Sequence, residues 1–378
     1  MSAHPPLRLA IAGGGTGGHV LPALAVVEEF RARGVPLELL WIGSRGDVEG
    51  PAAERAGIPF RAIKTGKLRR YFAAETILDA LRLPVGTAQA WRILRQFRPG
   101  VIFSTGGFVS VPTVVAGARL APILTHEQTA ILGLATRINL RFADVLAVSF
   151  EESAARASGF DGRVVVTGNP VRSSLRQGDA ARGLARFGFS PDLPLLYVTG
   201  GARGASPLNQ RVAALLPDLL QHCQVLHQAG PATANGDLKM LETLRARLSP
   251  ELQRRYRPVA FVRDELADVY AAASLVLGRA GAGTIAELAY LGKPGLLIPL
   301  PGSGGGEQDA NARALAGAGG AVVMAQEEAT PKRLGADLES LLRDPDRLRT
   351  MGQRAASIAR RDASLRLANE LLALAGRT

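Results

Sequence analysis

Three runs of small residues mark where this 378-residue chain could do chemistry, and two of them lead to an ionisable side chain. Gly13-Gly14-Gly15-Thr16-Gly17-Gly18-His19 follows the apolar stretch Leu7–Ala12 and opens a helical pattern with Pro22 in its first turn. Glycines let backbone N–H groups approach an anion, and a helix N-terminus adds about half a positive charge. The same dipole favours the neutral imidazole of His19, the form a general base requires; a capping or packing histidine would fit the position too. Gly200-Gly201-Ala202-Arg203-Gly204-Ala205 repeats the device after Leu195–Thr199. Gly278-Arg279-Ala280-Gly281-Ala282-Gly283-Thr284 opens a third helix, with Glu287 one turn beyond Gly283. There a carboxylate can accept both hydroxyls of a ribose while the loop faces a diphosphate, although a glutamate early in a helix is also favoured by the dipole alone.

Gly13-x-Gly15-x-x-Gly18 formally matches a dinucleotide fingerprint, which also needs an acidic residue closing the second strand. That strand, Leu37–Ile42, ends in Gly43-Ser44-Arg45 instead. Arg45 keeps an NADP-dependent oxidoreductase open as the alternative.

These loops need strands and helices to aim them. Strand patterns at Leu7–Ala12, Leu37–Ile42, Val101–Ser104, Pro122–His126, Val145–Ser149 and Arg163–Thr167 alternate with helical ones such as Leu21–Arg33 and Thr87–Phe97. The grammar restarts with Leu195–Thr199, Gln224–His227, Pro258–Phe261, Leu275–Leu277, Gly295–Ile298 and Ala321–Met324. The pattern predicts an α/β protein with two doubly wound, Rossmann-like domains facing a cleft, 1–168 and 169–362. They join at Gly168-Asn169-Pro170-Val171-Arg172, where Asn-Pro ends a sheet. Gly302–Gly306 reads as a mobile loop beside a ligand.

The single cysteine, Cys223, excludes an internal disulfide and a cysteine-based zinc site, and fits a reducing compartment. No apolar run is long enough for a membrane span, and no targeting segment is read at the N-terminus. The formal charge is +12, carried almost wholly by arginine, which by itself is weak support for a nucleic-acid partner. Its distribution says more. Between 61 and 98, Arg61, Lys64, Lys67, Arg69, Arg70, Arg82, Arg92, Arg95 and Arg98 face only Glu75 and Asp79. Leu68, Tyr71, Phe72, Ile77, Leu78, Leu81, Leu83 and Trp91 are interleaved with them. Ile77, Leu78 and Leu81 form one helical stripe, the layout of a segment lying on an anionic bilayer; a buried helix face with solvated arginines is the plainer alternative. Specific nucleic-acid binding is not expected: charge alone motivates it, and Tyr71, Phe72 and Trp91 do not recur between the basic residues in the way a stacking platform uses.

Gly14-Gly15-Thr16-Gly17-Gly18-His19-Val20, Ser104-Thr105-Gly106-Gly107-Phe108-Val109-Ser110, His126-Glu127-Gln128, Gly168-Asn169-Pro170-Val171-Arg172 and Glu307-Gln308-Asp309-Ala310-Asn311-Ala312 occur in this order. As an ordered set the sequence resembles the MurG glycosyltransferases of peptidoglycan synthesis over almost its full length. The resemblance implies a GT-B fold whose last helix, 363–378, returns to the N-terminal domain. It implies inverting transfer of GlcNAc from UDP-GlcNAc to the C4 hydroxyl of MurNAc-pentapeptide on undecaprenyl diphosphate, lipid I, giving lipid II. It implies no covalent intermediate, no cofactor and no metal. It also implies a peripheral position on the cytoplasmic face of the cell membrane, with other cell-wall synthesis proteins as possible partners.

Carried over by position, Glu287 resembles the ribose glutamate, and Arg172 the cleft arginine. Ala282, Gly283 and Thr284 fall on the diphosphate loop, and Val262 where uracil is read. Gln308 and Asn311 fall on the sugar-binding helix. Thr16, Gly17, Gly18, Thr129, Ala202 and Arg203 complete the implied donor set, and Gly14, Gly15, Gly106 and Gly107 the acceptor-diphosphate set. His19 is the implied base, with Glu127 second. Two positions depart from the family: Ala202-Arg203 replaces its usual Ser-Gln, and Thr129 its usual Asn. A related UDP-sugar transferase with a lipid acceptor is the neighbouring alternative.

Overall fold

Along β1 (Leu7–Gly13), Leu7, Leu9 and Ile11 enter one hydrophobic layer and Ala10 the opposite one. A strand apolar on both faces belongs in the middle of a parallel sheet covered by helices on each side. The computed structural model describes residues 5–66, 74–231 and 236–377, without the side chains of 74–82 and 304. It divides into two units, residues 1–172 with 360–378, and residues 173–359.

The first unit holds β1, β2 (Leu37–Ser44), β3 (Phe60–Ile63), β4 (Val101–Gly106), β5 (Ile123–Glu127), β6 (Val145–Val148) and β7 (Arg163–Val166). All are parallel, in the order β3-β2-β1-β4-β5-β6-β7. The second holds β8 (Leu195–Thr199), β9 (Gln224–Gln228), β10 (Tyr256–Val259), β11 (Ala273–Gly278), β12 (Gly295–Leu297) and β13 (Ala321–Val323), ordered β10-β9-β8-β11-β12-β13. Each sheet reverses its order beside its first strand. Doubly wound sheets bind ligands at that switch point, beyond the carboxyl ends of the strands. The loops that follow β1 and β4, and those that follow β8 and β11, are therefore the positions to examine.

The helix Ala363–Leu374 belongs to the first unit, where Leu367, Ala368 and Leu371 share a core with Val26, Val27 and Phe30. Each fully buried leucine contributes about 2 kcal/mol to that docking. The helix expected to begin at Thr87 runs Ala74–Phe97 and continues through Pro84, and β3 was not anticipated. Gly302–Gly306 includes a short 3-10 turn, Ser303–Gly305, ahead of the helix Glu307–Gly317.

Among the described residues no helix is long and apolar enough to cross a membrane. Lys67, Leu68, Arg69, Arg70, Tyr71 and Phe72 lie outside the described residues, as do the side chains of Ile77, Leu78, Leu81 and Arg82. Further along the same helix Val85 and Trp91 are exposed, the Trp91 ring lying 4.7 Å from the Arg95 guanidinium.

Candidate functional site

The three helices that open from the glycine loops, Gly17–Ala32, Ser206–Leu219 and Ala282–Leu291, have no side-chain cap at Thr16, Ala205 or Gly281. Asp179, Ser249, Thr330 and Asp344 do cap helices elsewhere. Helix N-termini concentrate N–H donors and the positive end of the dipole, which suits them to anions.

In the first unit the loops after β1 and β4 close around His19. Thr105 Oγ1 donates to the His19 carbonyl at 2.6 Å. Gly107 has φ +75°, and a Cβ there would stand 2.7 Å from the Gly14 carbonyl and 3.0 Å from the His19 ring, so only glycine brings the second loop this close. His19 Nδ1 lies 2.9 Å from the Thr105 carbonyl and 3.1 Å from Gln128 Oε1. A carbonyl only accepts, so in the neutral ring Nδ1 carries the proton and Nε2 the lone pair.

Gln128, almost fully buried, has its own orientation fixed. Its Nε2 donates to the Thr105 carbonyl at 2.6 Å and stands 3.3 Å from His126 Nδ1. His126 in turn places Nε2 3.1 Å from the Gly168 carbonyl, which makes that nitrogen its N–H. Burial holds the His126 imidazole down to about 4, against the pull of the Gly168 hydrogen bond, so it stays neutral near pH 7. Gly168, His126, Gln128 and His19 thus form one chain with a single consistent polarity.

Two carboxylates brace these loops. Glu49, fully buried, accepts from Gly15 N at 3.0 Å, Ser44 N at 2.9 Å and Ser44 Oγ at 3.0 Å. Glu127, 4% exposed, accepts from Thr129 N (3.2 Å), Thr129 Oγ1 (2.9 Å), Gly133 N (3.0 Å) and Thr136 Oγ1 (2.6 Å). That geometry ties Glu127 to the turn after β5 rather than to a proton on a substrate. The one hydroxyl proton of Thr129, where the family usually has Asn, is shared between Glu127 Oε1 and the Ile131 carbonyl, 2.7 Å away.

In the second unit, buried Glu287 receives the Tyr270 hydroxyl at 2.6 Å, and the Tyr270 ring stands edge-on to Tyr197, 5.7 Å away. Val262 N donates to Gln228 Oε1 at 2.9 Å. Gly204 has φ +73°, and a Cβ there would meet the Ala229 carbonyl at 2.1 Å. Ala202 and Gly283 are half-buried and Arg203 is exposed. Gln308 Oε1 accepts from Leu300 N at 3.0 Å, which ties it to its own loop. Asn311 donates to the Ala280 carbonyl at 3.2 Å, while its buried Oδ1 has no hydrogen-bond partner among the described residues. An unpaired acceptor at that depth favours a donor from a ligand.

The structure groups Gly14, Gly15, Gly106, Gly107 and His19 in the first unit, and Ala202, Val262, Ala282, Gly283, Thr284, Glu287, Gln308 and Asn311 in the second. Thr16, Gly17, Gly18, Thr129 and Arg172 also belong to the first unit, Arg172 as the last residue of its long segment. Glu49, Gln228 and Tyr270 were missed by sequence reasoning, and Gln128 appeared only inside a motif. None lies in a glycine loop: Glu49 and Gln228 reach one from a helix and a strand, Gln128 meets His19 and Thr105 from the turn after β5, and Tyr270 meets Glu287 from a neighbouring helix.

Comparison with known proteins bears on both halves. The glycosyltransferase family 28 N-terminal domain matches residues 9–148, and the family 28 C-terminal domain matches residues 195–367. A UDP-N-acetylglucosamine--N-acetylmuramyl-(pentapeptide) pyrophosphoryl-undecaprenol N-acetylglucosamine transferase of Treponema denticola is 37% identical over 375 residues, covering 95% of each chain. Its counterpart from Desulfitobacterium hafniense is 35% identical over 97% of this chain and 99% of its own. Among solved structures, Acinetobacter baumannii MurG superposes with a TM-score of 0.69 at 26% identity, covering 97% of this chain and 100% of that one.

Proposed function

The chain belongs to the MurG family of N-acetylglucosaminyltransferases, and from that premise we propose which of its residues carry out the transfer. It moves GlcNAc from UDP-GlcNAc to lipid I, forming lipid II in peptidoglycan synthesis. The observation that carries the assignment of roles is the contact of His19 Nδ1 with the Thr105 carbonyl at 2.9 Å.

The acceptor's diphosphate is taken by the backbone of Gly14, Gly15, Gly106 and Gly107. His19, with its proton fixed on Nδ1 by the Thr105 carbonyl, presents the Nε2 lone pair to the C4 hydroxyl of MurNAc. As that hydroxyl attacks the anomeric carbon, its proton passes to Nε2 and the bond to UDP breaks. A single displacement of this kind inverts the anomeric centre. Positive charge on the ring is stabilised by the Thr105 carbonyl and Gln128 Oε1 behind it, an arrangement equivalent to the orienting acceptor of a catalytic triad.

UDP-GlcNAc is held by the second unit. Glu287, steadied by Tyr270, accepts the ribose hydroxyls, and the segment at Val262 meets the uracil. The uncapped start of Ala282–Leu291, with Ala282, Gly283 and Thr284, and the loop containing Ala202 and Arg203 meet the diphosphate and stabilise the charge that grows on the leaving group. Asn311 Oδ1 accepts a hydroxyl of the sugar, with Gln308 one turn before it.

Residues 64–98 rest on an anionic bilayer at the cytoplasmic face of the cell membrane, where each basic group near the surface contributes about 1 kcal/mol. Exposed Trp91 and Val85 support this reading. Reversing the charges of Arg69, Arg70 and Arg82 should abolish binding to anionic vesicles in a flotation assay; unaltered binding discards the patch. The test of the whole assignment is transfer of labelled GlcNAc from UDP-GlcNAc to a lipid I analogue, with wild type set against His19→Ala and Glu287→Ala.

A further inference from the structure

The donor groups of the second unit come from separate segments: Val262 after β10, Gly200–Gly204 after β8, and Glu287 in the helix that follows β11. A nucleotide needs these at fixed spacing, and loops do not supply it unaided. We propose that Gln228 is a positioning residue for the donor, its one side-chain amide locking the backbone that meets the base to the loop that meets the diphosphate. This rests on placing UDP-GlcNAc in the second unit.

Gln228 closes β9, the strand between β8 and β10, in register with Thr199 on one side and Val259 on the other. It is 4% exposed, and all four hydrogen-bonding capacities of its amide are used. Oε1 accepts from Val262 N at 2.9 Å and from the Tyr197 hydroxyl at 3.2 Å. Nε2 donates to Thr199 Oγ1 at 3.1 Å and to the Gly201 carbonyl at 3.1 Å. Thr199 Oγ1 also accepts from Gly201 N at 3.1 Å, so the loop is pinned through both its N–H and its carbonyl. Tyr197 carries the connection to the ribose site, since its ring packs against Tyr270 and Tyr270 holds Glu287. A buried, fully satisfied polar network of this kind has one low-energy arrangement. Ligand contact at one segment therefore constrains the others.

Hydrogen exchange on the wild-type protein tests the coupling directly. Uridine, which lacks phosphate, should slow exchange at both Val262 and Gly201, and UDP should slow both further. Protection by uridine confined to the Val262 segment overturns the inference. Two variants sharpen it. Gln228→Met removes both arms and should raise the donor KM about tenfold or more, leaving the lipid I KM within twofold. Gln228→Glu keeps an acceptor for Val262 and removes the donor to Gly201, so UDP affinity should fall further than uridine affinity. A donor KM within twofold of wild type in folded Gln228→Met, or equal losses for UDP and uridine in Gln228→Glu, also overturns it. Glu287→Ala run in parallel separates the two levels. If it raises the donor KM while both Gln228 variants do not, only the role of Gln228 falls; if none of the three does, the donor site itself is misplaced.

Discussion

Gln128 follows β5 in the first unit and Gln228 ends β9 in the second, both almost fully buried at the carboxyl edge of a parallel sheet. Their partners differ. Gln128 touches two imidazoles, His19 and His126, as well as the Thr105 carbonyl. Gln228 touches the backbone of Val262 and Gly201 and two hydroxyls. An amide wired to imidazoles decides where a proton sits, which belongs to the chemical step. An amide wired to backbone decides where donors and acceptors sit before any proton moves, which belongs to binding. In the roles proposed above, one residue type in similar topological settings serves kcat in one unit and KM in the other.

The comparison breaks most readily at His19. Substitution by alanine should lower kcat about 10²–10⁴-fold with little change in the donor KM, measured by steady-state transfer. A loss under tenfold would make His19 a packing residue and leave Gln128 nothing to orient. Next in size, Glu287→Ala removes charge-assisted bonds worth about 1.5–3 kcal/mol each, so kcat/KM for UDP-GlcNAc should drop on the order of 100-fold with folding intact. An unchanged KM and kcat would remove the ribose assignment, and with it the binding role of the second unit.

Gln128→Leu is the sharper test of the contrast. It should lower kcat about tenfold and leave the donor KM alone, the reverse of the pattern expected at Gln228. Similar KM changes in both variants would mean that the two amides are merely structural.

A separate effect concerns stability rather than turnover. Burial holds His126 down to about 4 and His227 down to about 3, both below the ordinary 6.5. The unfolded chain therefore binds protons that the native chain excludes. Stability is full above pH 6.5 and declines as pH falls through the interval below it, by on the order of 3 kcal/mol for His126 once pH 4 is reached. Thermal melts from pH 7.5 to 4.5 should show both units weakening on acidification. His227, bonded to Asn209 Oδ1 and Tyr256 Oη, is buried in the second unit away from the proposed chemistry, so replacing it should flatten the curve without altering the pH–rate profile.

Much of the frame was legible beforehand. Twelve of the strands could be read because both faces of a covered parallel strand are apolar, and the glycine loops stood at their ends. The strand β3 escaped because it is a four-residue stretch with Arg61 and Ala62 exposed, too short and too polar to form a pattern. The helix expected at Thr87–Phe97 begins at Ala74 and runs through Pro84, since a proline removes only one N–H donor from the helical ladder. Glu127 looked like a base on residue type, but its carboxylate is surrounded by four donors from the turn that follows it.

By itself, then, the sequence determined the two doubly wound sheets and the order of the glycine loops at their strand ends, since both follow from local periodicity and from glycine placement. Only the tertiary structure decided which nitrogen of His19 bears the proton, that Glu49 and Glu127 serve as braces, and that Gln228 joins the end of β8 and its loop to the segment at Val262. Apart from Glu127, whose donors lie in the turn just after it, those facts depend on partners far apart along the chain, such as Thr105 for His19 and Val262 for Gln228. Hydrogen bonds are short-ranged and directional, and no spacing in a single sequence encodes which distant donor meets which acceptor.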